Sequence, residues 1–279
     1  MNFLVNRLYY MTKTIAFVNL KGGSGKTTLC INIAGYLAKK QDKSKVLVVD
    51  FDPQANATSA LGIEGKTLEK SIYDAVLRQC ESNLGASITQ IILETEVKNL
   101  HLAPSELDLA AASILMQNTK NRVEILSRIL EPIKKFYDYI LIDSPSDTGL
   151  FILNSLRAAD RLVVPIDSSI FSLEALENLK IYCRDIEEMT GHYIEQFTIV
   201  LNRYIKSGSK AKKSSKPGAS EEIQSTVKAM SHTLFVVPDS LLVYRSQQEG
   251  LPISDYAPTS ALGKAYGEIA NYLARDFIE

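Results

Sequence analysis

The stretch Ile15-Ala-Phe-Val18 followed by Asn19-Leu20-Lys21-Gly22-Gly23-Ser24-Gly25-Lys26-Thr27-Thr28 decides the fold. The first four residues form a short β-branched and aromatic run, which reads as a buried strand. Leu29 to Lys39 continues with helical spacing (Ile33, Tyr36, Leu37). Between strand and helix, Gly22, Gly23, Ser24 and Gly25 let consecutive backbone N–H groups turn inward around phosphate oxygens. The N-terminus of the helix adds partial positive charge at the same place. Lys26 is placed to reach β- and γ-phosphates and the Thr27 hydroxyl to ligate Mg²⁺, with Thr28 a further candidate in the nucleotide-binding run. The general pattern GxxxxGK[ST] asks for glycine at position 20, where this chain has leucine. It carries an additional lysine, Lys21, instead.

Two further strands end in acids. Val46-Leu-Val-Val49 leads into Asp50-Phe51-Asp52-Pro53-Gln54, and Tyr139-Ile-Leu-Ile142 leads into Asp143-Ser-Pro145. Parallel sheets collect ligand chemistry at the carboxyl ends of their strands. Three carboxylates there, beside a phosphate loop, can hold Mg²⁺ through water and orient an attacking water. For any one acid, a strand-end turn or helix cap is the competing explanation.

The same alternation continues with apolar runs at Leu162–Val164, Thr198–Leu201 and Leu234–Val237. Helical patterns lie at Leu107–Met116, Val123–Lys135, Leu173–Met189 and Ile223–Met230. Near-continuous apolar strands separated by helices predict an α/β fold: a mostly parallel, twisted sheet flanked by helices on both faces. No internal repeat is evident. Residues 12–279 read as one domain with a basic surface loop near 206–220. Met11-Thr-Lys-Thr reads as a start in its own right. Residues 1–11 are then an upstream start or a terminal arm, too short and interrupted for a secretory signal.

With 31 basic and 32 acidic side chains the formal net charge is −1, so any nucleic-acid contact must come from a local patch. Three widely separated cysteines, Cys30, Cys80 and Cys183, argue against a disulfide framework or a zinc site and suit a reducing compartment. No apolar run approaches the roughly 20 residues of a membrane span. Both features point to a cytoplasmic protein.

The run Lys21-Gly-Gly-Ser-Gly-Lys-Thr-Thr28 resembles the deviant Walker A signature KGGxGKT[ST] of the ParA/MinD family of partition and positioning ATPases. Asp50-Phe-Asp-Pro-Gln-Ala-Asn-Ala-Thr58 is similar to that family's DxDPQxNAT segment. Asn154 to Asp160, Val164 to Leu176, Leu201-Asn202-Arg203 and Val237-Pro238-Asp239 also look like it, so the likeness covers nearly everything from Thr12 onward. It is weakest between Gly62 and Asn99. The resemblance implies a Mg²⁺-dependent ATP hydrolase that forms a homodimer with ATP. In that reading Lys21 crosses to the partner subunit's nucleotide, and Lys26 binds phosphate. Thr27, Asp50 and Asp143 serve the metal, with Asp143 as the Walker B residue, and Asp52 positions water. Asn202, Pro238 and Asp239 would contact the base. The family's usual run after Walker B is replaced here by Pro145-Ser146-Asp147.

Partner choice is less directly written. ParA relatives carry arginines after the late proline, where this chain has Asp239-Ser240-Leu241-Leu242. The segment from Arg203 to Ser220 nevertheless holds six basic residues and no acid. Lys206, Lys210, Lys212, Lys213 and Lys216, with Arg245 nearby, are the candidate contacts to non-specific DNA, and a solvated linker is the equal alternative. MinD proteins end in a basic amphipathic helix for membranes. The C-terminal stripe Tyr266, Ile269, Tyr272, Leu273 and Phe277 has a mixed-sign polar face, which favours packing on the core over lipid. The leading expectation is a cytoplasmic, nucleoid-associated ATPase for partition or cargo positioning, working with a small adaptor protein. A MinD-like regulator without DNA and a metabolic P-loop enzyme are the alternatives.

Overall fold

The computed structural model describes residues 12–40, 44–81, 84–169, 171–194, 196–204, 225–227 and 233–275. Eight strands form one sheet: β1 (Lys13–Phe17), β2 (Val46–Asp50), β3 (Leu93–Glu94), β4 (Leu100–Ala103), β5 (Tyr139–Asp143), β6 (Arg161–Ile166), β7 (Gln196–Tyr204) and β8 (Thr233–Pro238). Their spatial order is β3-β4-β2-β5-β1-β6-β7-β8. All neighbours are parallel except β3, which pairs antiparallel with β4 at the edge.

The central strands are buried on both faces, which is why their sequences are continuously apolar. Within β1, Ala16 packs to one side and Ile15 and Phe17 to the other. One side is covered by α1 (Lys26–Ala38) and, further along the chain, by α9 (Ile253–Tyr256) and α10 (Ala261–Leu273). The opposite side is covered by α3 (Ile72–Cys80), α4 (Leu109–Gln117), α5 (Ile125–Leu130), α6 (Leu150–Ala158) and α7 (Phe171–Thr190). Two short helices, α2 (Asn56–Ala60) and α8 (Leu242–Gln248), lie nearer the ends of the strands. Tyr266, Ile269 and Leu273 of the C-terminal stripe are buried against α1, as their spacing predicts; Phe277 lies outside the described residues.

One local expectation needs correction. The helix expected over Val123–Lys135 stops at Leu130, and Glu131–Phe136 continues as a 3-10 turn. Pro132 is responsible, because its ring excludes an ordinary α-helical turn before it. The region Gly62–Asn99 holds α3 and the edge strand β3, and β4 follows at once; neither strand stands out, since β3 has two residues and β4 only four. Most of the expected helix Ile223–Met230, the arm 1–11 and the loop 206–220 lie outside the described residues.

Parallel register brings the chemistry together. Asp50 at the end of β2 is the partner of Asp143 at the end of β5, and Phe17 at the end of β1 sits beside Asp143 on the other flank. The phosphate loop leaves β1 beside Asp143, between β5 and β6.

Candidate active site

The loop from Lys21 to Gly25 ends in a residue that only glycine suits. Gly25 has φ 98°, and a Cβ there would lie 2.1 Å from Asn202 Nδ2. Asn202 Nδ2 in turn donates to the Ser24 carbonyl at 2.9 Å. This asparagine, expected at the base, is thus a brace of the phosphate loop from the neighbouring strand β7. The loop enters through Asn19, whose Oδ1 accepts from Lys21 N at 2.8 Å and whose Nδ2 donates to the Pro165 carbonyl.

Lys26, at the first turn of α1, is buried, and its ammonium donates to Ser146 Oγ. Burial draws this ammonium below its ordinary range, opposed by the charges of Asp143, Asp52 and Asp147. Ser146 belongs to the Pro145-Ser146-Asp147 segment, so the second loop departs from the family's run yet still meets the phosphate lysine.

Asp143 is fully buried, and neither carboxylate oxygen has a hydrogen bond of ordinary geometry. Burial first, then the Asp50 charge, pushes its carboxyl well above the usual range, while the Thr27 hydroxyl and Lys26 favour the charged form. A buried, unpartnered acid facing a threonine hydroxyl beside a phosphate loop fits Mg²⁺. That ion takes few protein ligands and completes its shell with phosphate oxygens and water.

Asp50 behaves differently from its expected role at the metal. Its Oδ2 accepts from Thr58 N at 2.8 Å and Thr58 Oγ1 at 2.7 Å, and its Oδ1 from Asp52 N at 3.3 Å. Burial raises its carboxyl to about 6 against those hydrogen bonds. Asp50 therefore ties α2 and the Asp52 turn to the sheet. The network extends to the loop that follows β4. Ser105 N donates to Thr58 Oγ1 at 2.9 Å, and Ser105 Oγ donates to the Asp52 carbonyl at 2.8 Å. Asp52 Oδ1 accepts from Gln54 N at 2.9 Å, and Ala55 takes a left-handed φ of 52° to close the turn. Asp52 is thereby held at the wall of a cavity of about 420 Å³ that also contains Gly23, Gly25, Lys26, Thr27, Thr28 and Ser146.

A second cavity of about 260 Å³ is bounded by Asn202, Pro238, Asp239, Tyr244 and Tyr266, so the three residues expected around the base do converge. Thr28, Arg203 and Gln247 border both cavities. At Gly22, which borders neither cavity, a Cβ would come 3.9 Å from Ser146 Oγ.

Lys21 points away from both cavities. Its ammonium is paired with Asp167 Oδ2 and donates to Ser169 Oγ at 3.0 Å. Partial burial works to raise the Asp167 carboxyl, but hydrogen bonds from Lys21, Ser172 and Ser169 hold it well below the ordinary carboxylate range. Sequence reading assigned no role to Asp167, Ser105, Thr58 or Ser146. Arg245 is exposed on α8 and joins neither cavity. The five loop lysines, Lys206, Lys210, Lys212, Lys213 and Lys216, lie outside the described residues.

Comparison with known proteins agrees with this geometry. The model of a family described as the AAA domain matches residues 12–196. The sporulation initiation inhibitor protein Soj of Bacillus subtilis is 34% identical over 267 residues, covering 95% of this chain and 99% of its own. The chain belongs to the ParA/MinD family of ATPases. The chromosome-partitioning ATPase Soj of Treponema pallidum is 32% identical over 270 residues, again covering 95% and 99%. The ATP complex of a Cyanothece McdA variant superposes with a TM-score of 0.80 over 96% of this chain and 99% of its own; at 20% identity that likeness concerns the fold. This ParA/MinD-family protein is an ATPase.

Proposed function

We propose that this ATPase is a cytoplasmic, nucleotide-switched homodimer that partitions DNA or positions an intracellular cargo. The observation that carries the reading is Lys21. One subunit's phosphate loop is complete with Gly22 to Thr28, and a second lysine at its rim, on an exchangeable ion pair, is surplus to it. Reaching a nucleotide held by a second copy gives that lysine a use. Whole-length similarity to two Soj proteins supports the partition half of the reading.

In the resulting mechanism the backbone of Gly22–Gly25 and Lys26 bind the phosphates. Thr27 and Asp143 hold Mg²⁺, which when bound neutralises charge on the β- and γ-phosphates. Asp52, fixed by Gln54 N and the Ser105 hydroxyl, accepts a hydrogen bond from the attacking water and orients it. Asp50 keeps that turn anchored through Thr58. Binding that favours the dimer shifts the equilibrium by its differential affinity, and hydrolysis releases it. Sizing by light scattering tests the core of this. The dimer is expected with a slow-hydrolysing ATP analogue and Mg²⁺ and not with ADP; a monomer in both would overturn the reading.

The adaptor is taken to be a small protein that stimulates turnover, and non-specific DNA is the surface acted upon. Positive charge for DNA must come from Lys206, Lys210, Lys212, Lys213 and Lys216 with Arg245, because the protein as a whole carries −1. Two loops on one dimer act together through raised effective concentration. If about 4–6 phosphates are neutralised, log K falls with log salt at a slope of roughly −4 to −5. Changing the five loop lysines to glutamine should abolish DNA binding while ATP binding persists. The MinD-like, membrane-directed alternative has less support, since α10 spends Tyr266, Ile269 and Leu273 on the core. No helix among the described residues is long and apolar enough to cross a membrane.

A further inference from the structure

Arg203 sits in a conformation that an arginine does not choose. Its φ is 54°, in the left-handed region where L residues other than asparagine and aspartate are uncommon. The pairing of β7 with β8 shifts register between Leu201 and Tyr204, so Asn202 and Arg203 form an irregularity at the end of the strand. That irregularity is pinned to the phosphate loop. Arg203 N donates to Asn202 Oδ1 at 3.0 Å, and Asn202 Nδ2 donates to the Ser24 carbonyl at 2.9 Å. The loop's own geometry thus fixes where the Arg203 side chain emerges.

It emerges at the seam between the two cavities, bordering both. The guanidinium is exposed and has no carboxylate partner among the described residues. Strain of this kind persists where the surrounding structure over-determines it, and it concentrates at ligand sites. A nucleotide with its triphosphate on Gly22–Thr28 and its base against Pro238 and Asp239 must carry its sugar and innermost phosphate across that seam. A guanidinium is suited to phosphate there, because it offers charge-assisted N–H donors in a planar fork.

We propose that Arg203 is a nucleotide-binding residue whose guanidinium holds the α-phosphate of ATP and ADP at the junction of the two cavities. This separates Arg203 from the basic segment that follows it, where its charge would otherwise be counted toward DNA. The inference rests on one nucleotide filling both cavities.

Arg203→Gly and Arg203→Asn test it, because both residues accept a positive φ and leave the backbone unstrained. Affinities for ADP, AMP and adenosine are measured by displacement of a fluorescent ADP analogue, alongside the melting temperature of the unliganded protein. ADP and AMP binding should weaken about tenfold to a hundredfold in both variants, as expected for loss of a charged hydrogen-bonding partner. Adenosine binding should not change, and the melting temperature should stay level or rise. Unchanged ADP affinity in the asparagine variant would overturn the proposal. Equal weakening of AMP and adenosine would overturn it too, by moving Arg203 to the base. Failure of the wild type to bind ADP would instead remove the nucleotide reading on which the inference stands.

Discussion

Within a single chain the Lys21 ammonium is ion-paired to the Asp167 carboxylate, 146 positions later in sequence. Both side chains remain about a third exposed (35% and 37%), so the pair is screened and worth only about 0.2–1 kcal/mol. It holds Lys21 in place without committing it. Lys21→Ala should abolish the ATP-dependent dimer, read by light scattering with a slow-hydrolysing analogue. Asp167→Asn should keep the dimer and lower its dissociation constant by up to about fivefold per subunit, since that pair no longer has to open. A Lys21→Ala protein that dimerises and hydrolyses like wild type would exclude the crossing lysine.

Asp52 is held by the turn around it and not by the sheet alone. Gln54 N fixes one carboxylate oxygen, and Ser105 Oγ, from the loop after β4, fixes the backbone carbonyl. Asp52→Ala should bind ATP and dimerise yet release no phosphate. Ser105→Ala should slow release less, because it loosens the turn and keeps the acid. Wild type alone should be slow, on the order of 10⁻⁴–10⁻² s⁻¹, as switch NTPases are without a stimulating partner. Phosphate release by Asp52→Ala at the wild-type rate would take Asp52 out of the mechanism.

Gly25 and Asn202 give a test of the loop that separates space from strain. In Gly25→Ala the new Cβ meets Asn202 Nδ2, and the backbone also stands at φ 98°. Asn202→Ala in the same chain removes the clash and leaves the backbone penalty, about 1–2 kcal/mol for an L residue in the left-handed region. It also removes the hydrogen bond to Ser24. Neither the single nor the double variant should bind ATP at wild-type affinity, measured by calorimetry. Full recovery in the double variant would show that crowding alone made glycine necessary.

How much of this was legible in the sequence depends on how locally each residue's role is determined. Gly22 to Thr28 could be read because the turn, the lysine and the helix start are adjacent in the chain. The acids at 50, 52 and 143 could be placed at strand ends, but not ranked. Thr58, eight residues beyond Asp50, decides that Asp50 serves the turn and leaves Asp143 open. Asp167, Ser105 and Arg203 acquire their places only when distant segments meet, and no periodicity announces such meetings. The edge strand β3 and its neighbour β4 are too short for alternation to show.

Acid sensitivity offers a last check, away from the nucleotide. His101 on β4 has Nδ1 2.8 Å from the Tyr137 hydroxyl, with the two rings edge to face at 5.5 Å. Burial lowers the imidazole below its ordinary 6.5; Glu94 opposes this and Lys45 adds to it. The folded state therefore prefers neutral His101, and below pH 6.5 the unfolded chain binds the extra proton. Stability must then fall as pH drops through 6.5 toward the lower folded value. Asp50 works in the opposite direction. Its folded value of about 6 exceeds the ordinary 3.8, so its contribution declines as pH rises between those values. A variant comparison isolates the histidine from that background. His101→Phe keeps an aromatic ring beside Tyr137 and removes the titration. Urea unfolding at pH 7.5 and 5.5 should show a smaller loss of stability on acidification in His101→Phe than in wild type. Equal losses in the two proteins would mean that His101 is not the group responsible.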